Sequence, residues 1–169
     1  MISRMLENNE QDLQIAKKCI KNIGHLEFNK ENAQTFLDSQ AGFFMVVFED
    51  EDSVEPMAFA YGYTMPQPIN STPGVWVYAF EVMKNFEESG AGIFLMAQLR
   101  AFFFYGLPCS FMFFLCEEDN RALRMAIKAS NGKTLKNLMP YFIANENVDE
   151  NGSWKGVPKD ENPIIKFKS

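Results

Sequence analysis

A glutamate at the end of a predicted strand is the side chain of this sequence best placed to act as a base. Glu81 follows the apolar run from Val75, and on an ideal strand it shares a face with Val75, Val77 and Ala79. Apolar neighbours raise the pKa of a carboxyl group toward the range in which a general base works. Glu81 is therefore our first candidate base, and the alternative is a strand-end carboxylate in solvent.

A glycine-rich turn follows this strand and opens a predicted helix with the residues Ser89, Gly90, Ala91 and Gly92. Glycines lack a Cβ, so successive backbone N–H groups can converge at a helix N-terminus, where the macrodipole adds about half a positive charge. Such a turn can hold a pyrophosphate. The same pattern also occurs where a helix start only needs a close backbone approach, so both interpretations stay open.

Two further glutamates follow a second predicted strand. Glu117 and Glu118 come directly after Cys116, and they could serve as an alternative base or as a pair that orients an amine. The other interpretation is that they stabilise the start of the next helix, whose N-terminus prefers anions. Cys116 is interpreted as a buried, inert thiol, and the alternative is a thiol that is acylated or donates a proton. The sequence offers no second partner for a Ser/His/Asp or Cys/His nucleophile.

Hydrophobic spacing, caps and turn residues predict the elements that position these side chains. In order they are a strand, two helices with Asn29 capping the second, a hairpin of two strands, a long strand, a helix, a strand, a helix and two closing strands. Their ranges are 1–5, 10–23, 29–40, 43–48, 57–63, 75–82, 91–105, 110–116, 120–130, 141–144 and 164–167. Residues 75–116 therefore form a crossover with parallel strands inside an otherwise antiparallel sheet.

The strand 57–63 separates large and small side chains. Met57, Phe59, Tyr61 and Tyr63 share one face, and small residues occupy the other, which lets a helix approach closely on the small side.

Composition excludes several classes of function. The 169 residues carry 16 Lys and Arg against 22 Asp and Glu, a net charge of −6, so nucleic acid and anionic membrane surfaces are poor partners. One domain of ordinary globular composition is expected for residues 1–169. Three cysteines and one histidine show no zinc-ligand spacing, so no metal is expected, and unpaired thiols favour a reducing, cytoplasmic compartment.

The stretch 75–133 resembles the core of the GNAT acetyltransferase superfamily. The family's Arg/Gln-x-x-Gly-x-Gly/Ala loop corresponds to Glu87-Glu88-Ser89-Gly90-Ala91-Gly92, it follows a strand that ends in Glu81-Val82, and Asn120 opens the later helix. The resemblance implies an α/β fold. In this fold a mixed, mostly antiparallel sheet contains a central parallel pair splayed at the cofactor wedge, and helices cover both faces.

The resemblance also implies a co-substrate, acetyl-CoA, and transfer of its acetyl group to an amine. The base would be Glu81 or Glu117. Backbone groups of Val82 and Met83 would meet the pantetheine arm and stabilise the oxyanion. Asn120 would lie near the thiol end. The residues implied at the cofactor are Val82, Met83, Ser89, Gly90, Ala91, Gly92 and Asn120.

Two positions depart from the family pattern. Glu87 stands where the family has Arg or Gln, and the adjacent Glu88 adds a second carboxylate that opposes a phosphate. The family's frequent tyrosine on the last helix, a proton donor to the leaving thiolate, falls near Ala126 or Ile127. These departures favour a rival function: a GNAT-fold adaptor or assembly component without catalysis, for example a phage-type structural protein. A third possibility lies between the enzyme and the adaptor: a regulatory domain that binds CoA without turnover.

Partners are predicted from two further segments. The acidic loop 145–162 would suit a cationic amine acceptor if it borders the acceptor site, and the alternative is a hydrated loop. The helix 91–105 carries apolar residues all round, which predicts self-association or a protein partner there unless neighbouring elements cover the surplus.

Overall fold

The structure is a computed structural model that describes residues 1–24, 26–65, 73–107, 109–114 and 120–130. The elements described lie in the compact unit Met1–Lys133. The strands are β1 (Ile2–Met5), β2 (Gly42–Phe48), β3 (Ala58–Met65), β4 (Gly74–Val82) and β5 (Phe111–Phe114), and the α-helices are α1 (Glu10–Asn22), α2 (Lys30–Leu37), α3 (Ala91–Arg100) and α4 (Arg121–Ala129).

The strands form one mixed sheet in the order β1-β2-β3-β4-β5. The first three pairings are antiparallel, and β4 and β5 are parallel, with Gly74 opposite Phe111 and Val77 opposite Phe114. The predicted hairpin and the predicted parallel crossover are therefore confirmed. The predicted closing strands 141–144 and 164–167 lie outside the described residues, and one domain for 1–169 stays a prediction.

Side-chain caps explain where three of the helices begin. Asn9, Asn29 and Asn120 each accept a hydrogen bond from the backbone N–H three residues later, at 2.9, 3.0 and 2.9 Å. An amide oxygen at this position satisfies one of the N–H groups that the first helical turn leaves unpaired. The predicted cap at Asn29 is thus confirmed, and Asn120, predicted only to open its helix, also caps it.

Helices cover both faces of the sheet and divide the core into two clusters. On one face α3 and α4 pack against β3 and β4 through Leu95, Leu99 and Leu123 among others. This is the face on which Ala58 and Ala60 lie, as the small side of β3 predicts. On the opposite face α1 and α2 pack against Phe44, Phe59 and their neighbours. Met57 differs from the prediction: it precedes β3 and packs with the α3 cluster.

A buried carboxylate links β1 to α1. Asp12 is 2% exposed and receives two hydrogen bonds from the Arg4 guanidinium, at 2.9 and 2.6 Å. The amide N–H of Glu7 and the side-chain amide of Asn9 donate to the same carboxylate, at 2.9 and 3.2 Å. The Arg4 guanidinium also lies over the Phe48 ring, 5.2 Å from its centroid.

The predicted helix 91–105 is not a single α-helix. The α-helical part ends at Arg100, and Ala101–Gly106 forms a π-helix in which the Leu107 N–H bonds to the Phe102 carbonyl at 2.8 Å. Nothing in the run of three phenylalanines indicates this change of period. Ile93, Phe102 and Tyr105 are exposed, Tyr105 by 83%. Association through this helix stays a prediction.

Two kinds of feature are absent from residues 1–24, 26–65, 73–107, 109–114 and 120–130. No helix there has both the length and the apolar character to cross a bilayer. Those same ranges contain no group of three or more His, Cys, Asp or Glu placed to bind a metal ion.

Candidate active site

A β-bulge in β4 decides which side chains surround Glu81. Tyr61 pairs with Ala79 and Gly62 pairs with Val77, so Tyr78 is the extra residue. The bulge reverses the alternation, and Val75 and Val77 pack on the α3 side while Ala79 packs on the α1 side. The prediction that Glu81 shares a face with Val75 and Val77 is therefore wrong, and of the three residues only Ala79 lies on its side.

Glu81 lies half-buried on the α1 side of the sheet. It is opposite Phe59 in the register, and Ala79 and Met83 flank it along the strand. Tyr61 is its diagonal neighbour on β3, a separation of roughly 7–8 Å between Cα atoms in such pairs. Burial of the phenol, and secondarily the charge of Glu81, raises the pKa of Tyr61. Glu81 is thus partly surrounded by apolar side chains and partly exposed, an environment that suits a general base.

Asn120 joins the start of α4 to the end of β4. Its side-chain NH₂ donates to the Phe80 carbonyl at 3.0 Å and to Glu81 Oε1 at 3.2 Å, while its Oδ1 accepts from the Leu123 N–H at 2.9 Å. One side chain therefore caps a helix and fixes the direction of the candidate base. The resemblance implied a role for Asn120 at the cofactor; its contact with Glu81 was not predicted.

The backbone at the end of β4 faces two different directions. The Met83 N–H donates to the Met57 carbonyl at 2.9 Å, and the Met83 carbonyl accepts from the Phe86 N–H at 2.7 Å. In an antiparallel ladder, alternate residues turn their N–H and C=O away from the partner strand, so those of Phe80 and Val82 are directed away from β3. The bond from Asn120 to the Phe80 carbonyl agrees with this direction. Val82 therefore directs its peptide groups toward the β5 side.

Gly90 and Gly92 serve the start of α3 in different ways. Gly90 is the N-cap with φ 82°, in the left-handed region that favours glycine, and no side chain caps the helix there. At Gly92 a Cβ would lie 3.0 Å from Val82 Cγ2, so this glycine lets α3 approach β4 closely. Ser89 Oγ donates to the Phe86 carbonyl at 2.7 Å and accepts from the Ala91 N–H at 3.2 Å.

The backbone and the side-chain charges of the loop before α3 have opposite effects on the binding of an anion. The first turn of α3 has N–H groups without helical acceptors, and Gly90 has no side chain to cap them; Ser89 Oγ accepts only from the Ala91 N–H, so the others fit a phosphate. Glu87 and Glu88 are exposed beside it, with Lys84 also exposed. The backbone N–H groups at the start of α3 therefore favour binding of a phosphate, whereas the negative charges of Glu87 and Glu88 oppose it.

Helix α4 has a buried apolar side and an exposed basic side. Leu123 and Ala126 are buried and Ile127 is half-buried. Alanine and isoleucine have no acidic side-chain proton, so neither position that falls near the family tyrosine can protonate a thiolate. Arg121, Arg124 and Lys128 are exposed.

The remaining predicted candidates divide into two groups. Glu117, Glu118 and Cys116 lie outside the described residues. Cys19 and Cys109 are free and buried, and burial raises the pKa of both thiols, as expected for inert cysteines. The residue that sequence reasoning missed is Tyr61, and the signal for it was the aromatic face of β3.

No protein-family model and no curated protein matches the sequence. Solved structures do match. An aminoglycoside acetyltransferase from an uncultured soil metagenomic sample, in complex with sisomicin, has a TM-score of 0.71 at 14% identity, over 86% of this chain and 96% of that chain. A ribosomal-protein-alanine N-acetyltransferase from Brucella melitensis biovar Abortus 2308 has a TM-score of 0.67 at 14% identity, over 86% and 100%.

A third match is the aminoglycoside N-acetyltransferase AAC(6')-Iy, in complex with the bisubstrate analogue CoA-S-monomethyl-acetylneamine. Its TM-score is 0.67 at 15% identity, over 85% of this chain and 98% of that chain. All three neighbours are acetyltransferases, and their likeness to this chain agrees with the mixed sheet, its one parallel pair and the helices on both faces. The chain has the fold of the GNAT acetyltransferases.

Proposed function

We propose that this protein transfers the acetyl group of acetyl-CoA to a primary amine. The observation that carries the proposal is the contact of Asn120 with Glu81 at the end of β4, because it holds a carboxylate beside the outward-facing backbone of Val82. The experiment is release of CoA thiol from acetyl-CoA in the presence of a panel of primary amines. Thiol release that requires an amine supports the proposal, and its absence with every amine contradicts it.

Each group would have a separate task. Glu81 takes a proton from the ammonium of the acceptor, directly or through a water, and the freed nitrogen attacks the thioester carbon. A new C–N bond forms, the C–S bond breaks, and CoA leaves as a thiol. Since Ala126 and Ile127 cannot protonate the thiolate, that proton comes from solvent or from the acceptor itself.

Backbone donors would stabilise the charge that develops on the carbonyl oxygen. Met83 already uses its N–H in the bond to Met57, so this role falls to the N–H of Val82. The N–H groups at the start of α3, after Gly90, would hold the pyrophosphate, and Ser89 would keep the turn in shape through its bonds to Phe86 and Ala91.

Acetyl-CoA is expected to bind weakly because two carboxylates border the phosphate turn. The double variant Glu87→Arg/Glu88→Gly should bind about tenfold tighter than the parent, since it removes like-sign repulsion and adds an exposed cation. Calorimetric titration measures both affinities. The matched control is Glu51→Arg/Asp52→Gly, which makes the same charge change at exposed positions of the β2–β3 connection. Equal gains in both double variants would show an effect of net charge alone, and no binding by either the parent or Glu87→Arg/Glu88→Gly would remove acetyl-CoA from the proposal.

The role of Asn120 can be separated from its role as a helix cap. Asn120→Asp keeps an oxygen for the Leu123 N–H but loses the donation to Glu81 and places a second carboxylate beside it. We expect the acid limb of the pH–rate profile to move to higher pH by about one unit, because a like charge disfavours the ionised base. Asn120→Ser keeps the cap without the added charge, and it should lower kcat without moving the limb as far. An unshifted limb in a folded Asn120→Asp variant would limit Asn120 to a structural role.

A non-catalytic adaptor is the second candidate function. Three residues favour it: Glu87 stands where the family has Arg or Gln, Glu88 adds a second exposed carboxylate beside it, and the buried Ala126 falls near the position of the family's frequent tyrosine. It predicts a folded protein without amine-dependent thiol release.

A further inference from the structure

The face of the sheet on which Glu81 lies also carries an apolar pocket of about 210 Å³ between α1, α2 and residues 26–29, which precede α2. Phe36, Phe44 and Tyr61 form an aromatic wall, with the Tyr61 ring centroid 6.0 Å from that of Phe36 and 5.3 Å from that of Phe44. Ile20 of α1 and Ala33 of α2 line the other sides.

Tyr61 lies between the pocket and the candidate base Glu81. It belongs to the pocket wall, and it is the diagonal neighbour of Glu81 on the same face of the sheet. Burial raises the pKa of the Tyr61 hydroxyl, and the Glu81 charge adds to this effect. A molecule in the pocket would therefore have one end against aromatic rings and the other near a carboxylate.

The size and chemistry of the pocket limit what it can receive. Its volume exceeds the roughly 150 Å³ of an apolar protein cavity that holds benzene. Polar side chains of the lining, Glu27, Asn29 and Asn32, are exposed, and Asn29 Oδ1 is already bonded to the Asn32 N–H. A densely hydroxylated molecule would find few partners at the aromatic wall, whereas a ring or alkyl group would remove apolar surface from water.

We propose that this pocket binds the apolar substituent of the acceptor, so that the acceptor is a primary amine that carries a group of about the size of a phenyl ring. The inference rests on the proposed function, because Glu81 is taken as the base at the amine end. It predicts that polyamines are poor acceptors for this protein, and so are aminoglycosides, which structural neighbours bind. A free amine and a peptide with an aromatic first residue share this chemistry.

The first test is binding, measured without acetyl-CoA. Calorimetric titration of the full chain should give an affinity for 2-phenylethylamine at least about tenfold above that for ethylamine, from burial of the ring. Spermidine should bind more weakly than 2-phenylethylamine. The tripeptide Phe-Gly-Gly forms a separate arm: affinity equal to or above that of 2-phenylethylamine indicates a peptide acceptor, and weaker affinity indicates a free amine.

Variants of α2 provide the matched control. Ala33→Phe fills the pocket and should abolish the preference for 2-phenylethylamine over ethylamine, and the smaller Ala33→Leu should reduce it. Thr35→Phe adds the same ring at an exposed position outside the lining and should leave the preference unchanged. If circular dichroism shows that Ala33→Phe does not fold, the ratio of the two affinities in Ala33→Leu tests the proposal instead.

The outcomes separate this inference from the proposed function. Equal affinities of the parent for 2-phenylethylamine and ethylamine, or tighter binding of spermidine, would overturn the inference. Acetyl transfer without any preference for an aryl group would overturn it and leave the proposed function intact. Tight aryl binding that depends on Ala33, with no acetyl transfer, would support the pocket and contradict the proposed function.

Discussion

Glu81→Gln is expected to lower kcat for acetyl transfer to an amine by about 10²-fold, the range typical of a lost general base. Glutamine retains an oxygen that can accept the hydrogen bond from Asn120, so the end of β4 and the start of α4 should keep their geometry. It cannot take a proton. The acid limb of the pH–rate profile should therefore flatten as kcat falls, and steady-state kinetics across pH measure both effects.

Glu49→Gln is the matched control for this variant. Glu49 directly follows β2, is exposed, and belongs to neither the Asn120 contact nor the pocket, so its variant should retain the parent rate. A folded Glu81→Gln protein with an unchanged rate would refute Glu81 as base. The role would then pass to water or to Glu117.

The secondary structure of this chain was largely predictable because its signals are local. The cap at Asn29 depends on residues within one turn, and the alternation in β3 depends on neighbours two positions away. The parallel pairing of β4 and β5 followed from the order of elements. Each of these inferences uses short-range physical constraints that a single sequence carries.

The surroundings of Glu81 were not predictable in the same way. A single extra residue, Tyr78, reverses the side of the sheet on which Val75 and Val77 lie, and a bulge leaves no mark in the hydrophobic pattern of β4. The contact of Asn120 with Glu81 spans 39 positions and depends on where α4 docks. The sequence alone could identify Glu81 as a candidate base, but its contact with Asn120 and its neighbours on the sheet could be found only from the tertiary structure.

The glycine turn shows how one motif can carry two requirements. Gly90 needs its left-handed φ, and a Cβ there would meet nothing within 4 Å, whereas a Cβ at Gly92 would lie only 3.0 Å from Val82 Cγ2 across the helix–strand contact. Retention of Gly92 is therefore explained by packing of the fold whether or not catalysis is retained. For this reason the binding of acetyl-CoA, rather than the glycine pattern, distinguishes the enzyme from the adaptor.

Asp12→Asn is expected to lower the free energy of unfolding by about 2 kcal/mol, which is less than a fully buried pair would lose because Arg4 is 39% exposed. Burial opposes ionisation of Asp12, but hydrogen bonds from Arg4, the Glu7 amide and Asn9 outweigh it and lower its pKa. Asparagine cannot accept all four donors, and its own NH₂ would face some of them. Urea unfolding at neutral pH measures the loss.

The pH dependence of this loss has a definite sign. A carboxylate with a pKa lower in the folded state stabilises the protein above its unfolded value, about 3.9, and that stabilisation disappears as pH falls further. The difference between parent and Asp12→Asn should thus be constant above about pH 5 and shrink below about pH 4. Glu10→Gln is the control, because Glu10 lies in the same helical turn but forms only exposed contacts with Lys30 and Gln14, and its effect should be much smaller. A difference that persists unchanged at low pH would mean that the shape of Asp12, rather than its charge, joins β1 to α1.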